Sequence, residues 1–403
     1  MPPAAVPRRR SSGSVPLVGS LRLLYVSHSF PPPGRPLANV GGMQRVATEL
    51  HDALASHPEV RLSSLVLRSS WRWTHLRVVP FGLRALRRIP KRVEAERIDA
   101  VLFSSMVTAA LAVPLRRMLP AHGVVLAAIP VGRDVTLPVA PYQWLVPRMF
   151  RALDAVFPIS HATAEECLAR GAAPEKVRVI PCGVDLARFP APVDRRAMRR
   201  ELPSAIGGNA ALPGGALLLF SVGRHVERKG FAWFVDQVMP RLPANVHFWL
   251  AGEGPATPEI RAAIASRGLE PRVRLLGRVS DERLKTLYRG ADLFMMPNVP
   301  VPGDIEGFGV VMLEAGLSGL PVVAARIEGI QDVIREGENG HLVRSGDANA
   351  FADHILRYHE DRPALERLSR SAARYTADTF GWAAVADQYV GALRALRPSR
   401  PRD

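Results

Sequence analysis

Leu217-Leu218-Leu219-Phe220-Ser221-Val222-Gly223-Arg224-His225-Val226-Glu227-Arg228-Lys229-Gly230 reads as a buried strand that breaks at a glycine into a basic loop. Seven residues between Gly215 and Gly223 are too few for a helix and too uniformly apolar for a half-exposed strand, so they suit a parallel sheet covered on both faces. Gly223 lets the chain turn at the strand end without a side chain in the way. Arg224 and Lys229 then bring two cations to the carboxyl edge of the sheet, where open α/β sheets bind their ligands, and two cations suit a diphosphate. The stretch is not a Walker loop, because the glycine before the lysine and the Ser/Thr after it are missing. Taken alone it also reads as a solvated loop. Lysine occurs elsewhere only at Lys91, Lys176 and Lys285, so its use here in an arginine-rich chain favours a role.

Outward from this strand, short apolar runs alternate with longer helical patterns in both directions, the signature of parallel sheets under helices. Towards the C-terminus strands are expected at Val246–Ala251, Val273–Leu276, Leu293–Met296, Pro321–Ala324 and His341–Val343, then a helical end at Trp382–Leu396. Towards the N-terminus they are expected at Leu21–Ser27, Leu62–Leu67, Ala100–Ser104, Val124–Ile129, Ala155–Ile159 and Val177–Ile180. Ser160 is placed to cap the helix that follows. Between the halves the pattern dissolves into Pro, Gly, Ala and Arg. The expected fold class is therefore α/β, with two Rossmann-like doubly wound domains facing across a cleft. The expected divisions are a disordered basic leader over 1–20, a first domain over 21–190, a linker over 191–215, a second domain over 216–378, and a closing helix and tail over 379–403.

Glu306-Gly307-Phe308-Gly309-Val310-Val311-Met312-Leu313-Glu314 follows an irregular stretch and opens a helix. Backbone N–H groups at that start attract phosphate. Glu306 precedes the helix and Glu314 lies about five residues inside it, roughly 7–8 Å along the axis. Two carboxylates so placed can accept hydroxyl hydrogen bonds from opposite ends of one ligand, although a cap and an ion pair would use the same residues. Ala251-Gly252-Glu253-Gly254-Pro255 and Leu276-Gly277-Arg278-Val279-Ser280-Asp281 end neighbouring strands and could hold a base through their backbone.

The composition bounds the function classes. Of 403 residues, 47% are hydrophobic and 22% charged, ordinary for a globular protein, and the length suits two domains. Cys167 and Cys182 make neither a disulfide framework nor a zinc site, so a reducing compartment is expected. The net charge of +16 is nearly all arginine. It reads equally as a surface for anionic lipid headgroups and as a G+C-rich coding habit. Runs at Arg8–Arg10 and Arg87–Arg92 are where an acidic surface would make contact. No aromatic-and-basic recognition motif accompanies the charge, so no nucleic-acid partner is expected. No apolar run approaches a membrane span, and Pro2–Ser20 lacks the apolar core of a signal peptide.

Taken together, Gly223-Arg224…Lys229-Gly230, Gly252-Glu253-Gly254-Pro255, Gly277-Arg278-Val279 and Glu306-Gly-Phe-Gly…Glu314 resemble the retaining glycosyltransferases of the GT-B fold, family 4 (glycosyl transferases group 1). Gly183-Val184-Asp185…Phe189 and Phe380-Gly381-Trp382 add to the resemblance, which runs from about Leu21 to Leu396. It implies that Arg224 and Lys229 bind the donor diphosphate, that Glu306 contacts the donor sugar and that Glu314 binds the nucleotide ribose. It also implies that Phe308, Gly309 and Val310 hold phosphate or sugar through their backbone, and that Val279 packs the base. Gly252 and Glu253 join this donor site. Gly41 and Gly42, within Asn39-Val40-Gly41-Gly42-Met43-Gln44-Arg45, match the family's glycine-rich loop near the donor phosphates and the acceptor. The closing helix is expected to cross back onto the first domain.

The implied reaction moves a sugar from a nucleoside diphosphate to an acceptor hydroxyl with retained anomeric configuration, in cell-envelope or other glycan synthesis. Catalysis would fall to Glu306, Arg224 and Lys229. No metal or other cofactor is expected, since cations and helix dipoles can neutralise the leaving diphosphate. One departure stands out: where the family has a histidine, Ala128-Ile129-Pro130-Val131-Gly132-Arg133-Asp134 has Val131. Arg133 and Asp134 are the acceptor-side candidates in its place, with a turn salt bridge as the alternative. The expected partners are a nucleotide-sugar donor, a glycan or lipid-linked acceptor and an anionic membrane surface. The expected location is the cytoplasm or the inner face of the cell membrane. The competing readings are a degenerate nucleotide-sugar-binding module, which the missing histidine favours, a basic interaction protein, and a sugar-nucleotide epimerase of the same fold.

Overall fold

The structure, a computed structural model, describes residues 19–32, 42–69, 71–119, 123–189, 195–206 and 212–396. Strands β1 (Leu21–Phe30), β2 (Val60–Arg68), β3 (Ala100–Phe103), β4 (Val125–Ala128) and β5 (Ala155–Val156) form one sheet in the order β2-β1-β3-β4-β5. Strands β6 (Leu217–Val222), β7 (Val246–Ala251), β8 (Val273–Gly277), β9 (Leu293–Met296), β10 (Val322–Ala325) and β11 (Gly340–Val343) form a second, ordered β11-β10-β9-β6-β7-β8. Every named pairing is parallel. Parallel strands need helical crossovers, which cover both faces, and this is why the strands read as unbroken apolar runs.

In the first sheet, Leu24, Val26, Val101, Phe103 and Leu126 point to one side, under the helices Trp71–Ala95, Ala112–Met118 and Ala140–Ala152. Leu23, Tyr25, Ala100 and Leu102 point to the other, where they meet the helix Gly42–Ser56. That second core continues without a break into the second domain and takes in the closing helix, Trp382–Ala395. Trp382 donates its indole N–H to Glu49 at 2.7 Å, and Tyr389 sets its ring edge-on to Phe157 at 5.6 Å. Gly183 has to be glycine, because a Cβ there would stand 2.4 Å from the Trp382 ring.

Two expectations need correction. Val177–Ile180 forms no strand; only Val177 bridges to Val156. The neighbouring chain it would pair with contains Pro158, which has no N–H to offer, so the ladder stops. The stretch 191–215, expected to be a linker, contains a helix at Arg195–Ile206. Leu202 of that helix is fully buried against Gly290, where an added Cβ would come within 2.9 Å of it. Arg199 pairs with Asp292 and also reaches the Ala216 carbonyl at 3.0 Å, which ties the helix to the second sheet. Residues 1–18 of the leader and residues 397–403 of the tail lie outside the described residues, as do 190–194 and 207–211 beside the helix.

Candidate functional site

Each sheet reverses its strand order once. In the second sheet the chain leaves β6 for β7 and β8, then returns to β6's other side with β9. The crevice beyond the carboxyl ends of β6 and β9 is therefore the natural ligand site of this domain. The loops that border it are the two singled out from sequence, Gly223–Lys229 after β6 and 297–309 after β9.

Lys229 and Glu306 meet in this crevice. Lys229 Nζ lies 2.6 Å from Glu306 Oε2, with the Arg228 Nε at 3.5 Å and the Asn298 amide donating to the same oxygen at 3.2 Å. Lys229 is 6% exposed and Glu306 8%. Burial pushes the Glu306 carboxyl up, but Lys229 and Arg228, with the hydrogen bonds from Lys229 and Asn298, outweigh it and hold the carboxyl below its usual range. The site thus keeps a buried, ionised carboxylate beside a buried ammonium. An incoming phosphate would share that ammonium.

The loop carrying Glu306 is clamped from below. Glu328 has a left-handed backbone (φ 46), rare for a non-glycine residue, and its carboxylate accepts the Glu306 backbone N–H. A Cβ on the adjacent Gly329 would stand 2.1 Å from the Gly307 carbonyl. Strain of this kind persists where the surroundings over-determine it. Behind the loop, Gly309 (φ 83) starts the helix Val310–Leu317, and Phe308 turns its ring into the core against Phe380. The Phe308 ring is thus turned away from the crevice, which leaves its backbone and that of Gly309 to face it.

Where the same β6 loop carries Arg224 and His225, a cavity of about 520 Å³ opens, within the usual size for a small-ligand site. Arg224, His225, Gly252, Glu253, Gly254 and Thr257 contribute to its wall. Arg224 is exposed and has no ion pair among the described residues, so it is available to an anion. Val279 is half-buried and packs against the edge of the core. Gly252 (φ 116) brings its backbone so close to the β6 loop that a Cβ would stand 2.0 Å from the Gly223 carbonyl. Gly252→Ala is expected to cost at least about 3 kcal/mol in urea denaturation, from a backbone collision that cannot relax locally. Gly268→Ala, where φ is 61 but the space is open, should cost only about 1 kcal/mol.

Glu314 is 2% exposed and already engaged. Arg45, from the first domain, pairs with its Oε1, and the Tyr288 hydroxyl donates to Oε2 at 2.9 Å. Burial pushes the Tyr288 hydroxyl up, so it stays a donor. The carboxylate sequence assigned to a ribose is therefore also one of the points where the two domains are joined. Gly41 lies outside the described residues, and Gly42 begins the helix that carries Arg45.

On the first-domain wall, Arg133 and Asp134 separate. Arg133 is exposed and lies 3.6 Å from Asp304 across the cleft. Asp134 corrects the expectation placed on it. It is 5% exposed, and its two oxygens take the backbone N–H groups of Met106 and Val131, each at 2.8 Å. Desolvation raises it to about 6. It shapes the loop and does not present itself to an acceptor. Val131 and Gly132 press their backbone onto Gly307, where a Cβ would meet the Val131 carbonyl at 2.8 Å.

At the first sheet's reversal, between β1 and β3, His28 stands among the serines Ser27, Ser29, Ser104 and Ser105. It escaped the sequence reading. The β1–β2 register gains one residue between Ser27 and Phe30, a bulge of the kind that re-aims side chains. His28 Nδ1 lies 3.3 Å from the hydroxyl of Ser105, just beyond β3. Burial brings its pKa down from 6.5 to about 4, so the imidazole is neutral at neutral pH. A histidine with a lowered folded pKa costs stability as it is charged, so the protein is expected to lose stability as pH falls from about 6.5 towards 4. In His28→Gln that acid limb should flatten in denaturant titrations at stepped pH.

Asn298, Arg228, Tyr288 and Glu328 were also missed. Asn298 and Glu328 gave a faint signal as polar residues in loops after strands. Among the described residues no three His, Cys, Asp or Glu side chains converge as a metal site would require.

Comparison with known proteins bears on both halves. Residues 40–188 match the family described as Glycosyltransferase Family 4, and residues 216–361 match that described as Glycosyl transferases group 1. The chain is 35% identical over 239 residues to a D-inositol 3-phosphate glycosyltransferase of Streptomyces avermitilis, covering 55% of this chain and 48% of that protein. It is 35% identical over 181 residues to the lipopolysaccharide core biosynthesis glycosyltransferase LpsE of Rhizobium meliloti, covering 45% and 51%. The matched stretches thus span about half the length of these curated relatives. In overall structure the chain is similar to Anabaena HepE, solved with UDP, at a TM-score of 0.71 and 18% identity, over 93% of this chain and 100% of that one. It is also similar to the catalytic domain of starch synthase IV of Arabidopsis thaliana, at a TM-score of 0.72 and 15% identity, over 94% and 100%.

Proposed function

We propose, from the premise that this chain belongs to the group 1 glycosyl transferases of glycosyltransferase family 4, that it transfers a sugar from a nucleoside diphosphate to an acceptor hydroxyl with retention. The observation that carries the reading is the buried Lys229–Glu306 pair, set at the strand reversal of the second sheet, on whose β6 loop Arg224, without an ion pair among the described residues, edges a cavity. The base and ribose would enter the cavity, the diphosphate would meet Arg224, Lys229 and the start of the helix Val310–Leu317, and Glu306 would accept hydrogen bonds from the sugar hydroxyls. Glu314 can serve the ribose once Arg45 swings aside.

In the step itself, the bond from the anomeric carbon to the diphosphate oxygen breaks and the bond to the acceptor oxygen forms on the same face. The acceptor proton passes to the departing phosphate. Cations already in place stabilise the charge that collects there, the kind of preorganised electrostatics that lowers such barriers most. Glu306 is committed to Lys229, so it is placed to orient the sugar and not to attack it. His28, neutral and paired with Ser105, would bind the acceptor hydroxyl in place of the histidine the family resemblance leads one to expect at Val131. UDP bound to the structural neighbour HepE, and the lipopolysaccharide core in the name of LpsE, support a nucleotide donor and a glycan acceptor. Among the described residues no helix is long and apolar enough to cross a membrane, and the basic surface supports peripheral contact with an anionic membrane.

Calorimetric titration of UDP, GDP and ADP tests the donor half. One of them should bind, and Arg224→Ala should weaken it by about tenfold or more, the worth of a charge-assisted contact. His28→Ala tests the acceptor half: transfer should fall about 100-fold with donor affinity unchanged. Binding of none of the three nucleotides would count against the reading.

A further inference from the structure

The outer face of the helix Trp71–Ala95 is built for something other than water. Its inner face carries Phe81, Ala85, Ile89 and Val93 at every fourth position, all buried in the first domain's core. Its outer face carries Trp73, Leu76, Val79 and Leu83, exposed by 55%, 60%, 66% and 60%. These four extend for about 15 Å along the axis at 1.5 Å per residue. A soluble domain scatters its exposed apolar residues singly and rarely lines them up. Beyond Leu83 the outer face changes to Arg84, Arg87, Arg88 and Lys91, all exposed. From Trp71 to Val93 the sequence holds no Asp or Glu.

The position of this face follows from the topology. The helix leaves the carboxyl end of β2, so its apolar turns lie at the edge of the sheet where the cleft opens, and its basic turns run away from it. The helix Ala140–Ala152, on the same side of the sheet, starts from that edge too. It presents Trp144, 64% exposed, with the Arg148 guanidinium 3.4 Å above the ring. Tryptophan with arginine is the pairing of a surface that sits at the lipid headgroup level.

We propose that this face docks onto an anionic lipid bilayer, the apolar turns entering the headgroup region and Arg84, Arg87, Arg88 and Lys91 meeting lipid phosphates, so that the cleft mouth is held at the membrane. Charge selects this occupant. A second copy of the chain would cover the apolar stripe only by bringing two arginine rows near each other, whereas an anionic bilayer satisfies both parts at once. This surface does not depend on the donor chemistry. It adds to that reading a source of acceptor, a hydroxyl carried on a lipid.

The test is co-sedimentation of the purified chain with phosphatidylcholine vesicles, with and without one-third phosphatidylglycerol, at physiological salt. The parent should sediment with the anionic vesicles only. The triple variant Arg84→Gln/Arg87→Gln/Arg88→Gln should bind them about 100-fold more weakly, at roughly one elementary contact per arginine. Trp73→Ser/Leu76→Ser/Leu83→Ser should weaken binding at least about tenfold through lost insertion. All six side chains are exposed, so melting temperature and nucleotide affinity should match the parent, which separates a failed surface from a failed fold or a failed donor site. The proposal is overturned if either variant sediments like the parent, if neutral vesicles bind equally well, or if the lipid-free parent dimerises through this face and the serine variant does not.

Discussion

At pH 7.5 the Lys229→Met protein is expected to be about 3–5 kcal/mol less stable than its parent, because the substitution leaves a buried carboxylate without its closest cation. The size of the effect comes from burial. Glu306 is 8% exposed, and burial alone would push its carboxyl up; Lys229 and Arg228 pull it below the usual range. In the parent, then, the folded pKa lies below the unfolded value, and Glu306 contributes stability above about pH 4.5 that is lost as pH falls through the folded pKa. In the variant, burial dominates and the folded pKa rises above the unfolded one. The deficit should therefore shrink between pH 7.5 and pH 5 as Glu306 takes up a proton. Denaturant titrations of both proteins at the two pH values check this. An equal deficit at both would mean that the loss is one of packing and not of charge.

Glu306→Ala is expected to act the other way round. The variant removes a carboxylate that needs a partner, so its stability should suffer less than that of Lys229→Met. Its transfer rate should fall by about 10³-fold, the scale seen when one preorganised polar contact to a transition state is removed. Nucleoside diphosphate affinity should change little or rise, because Lys229 is released to the phosphate. Initial rates with saturating donor, set beside calorimetry with the nucleotide alone, separate the two effects. Equal losses in both would make Glu306 a part of the fold and not of the reaction.

These two residues were legible from sequence because each sits in a loop of its own, after a strand that can be recognised from its apolar run, with glycines at Gly223 and at Gly307 and Gly309 marking the loops. Local signals of that kind also gave ten of the strands closely, from β1 to β11 without β5, and gave the alternation that sets the fold. Contacts made across long sequence separations were not legible. Arg45 and Glu314 are 269 residues apart, and nothing in either segment announces the pair. His28 was hidden inside an apolar strand, since a bulge depends on pairing with β2 and leaves no mark in β1 itself. Asp134 looked available because a loop carboxylate usually is; only the fold shows two backbone N–H groups waiting for it. The helix Arg195–Ile206 was concealed by its own composition, with one leucine, Leu202, anchoring a segment otherwise rich in arginine and alanine.

The central claim is that the Lys229–Glu306 crevice cleaves a nucleotide-sugar. The most direct measurement follows nucleoside diphosphate release from a panel of UDP-, GDP- and ADP-sugars, with a membrane extract as the source of acceptor, for the parent beside Glu306→Ala and Arg224→Ala. The account predicts release from one nucleotide class with the parent and loss of that release in both variants. Release that persists undiminished in Glu306→Ala, or no release from any donor, would contradict it.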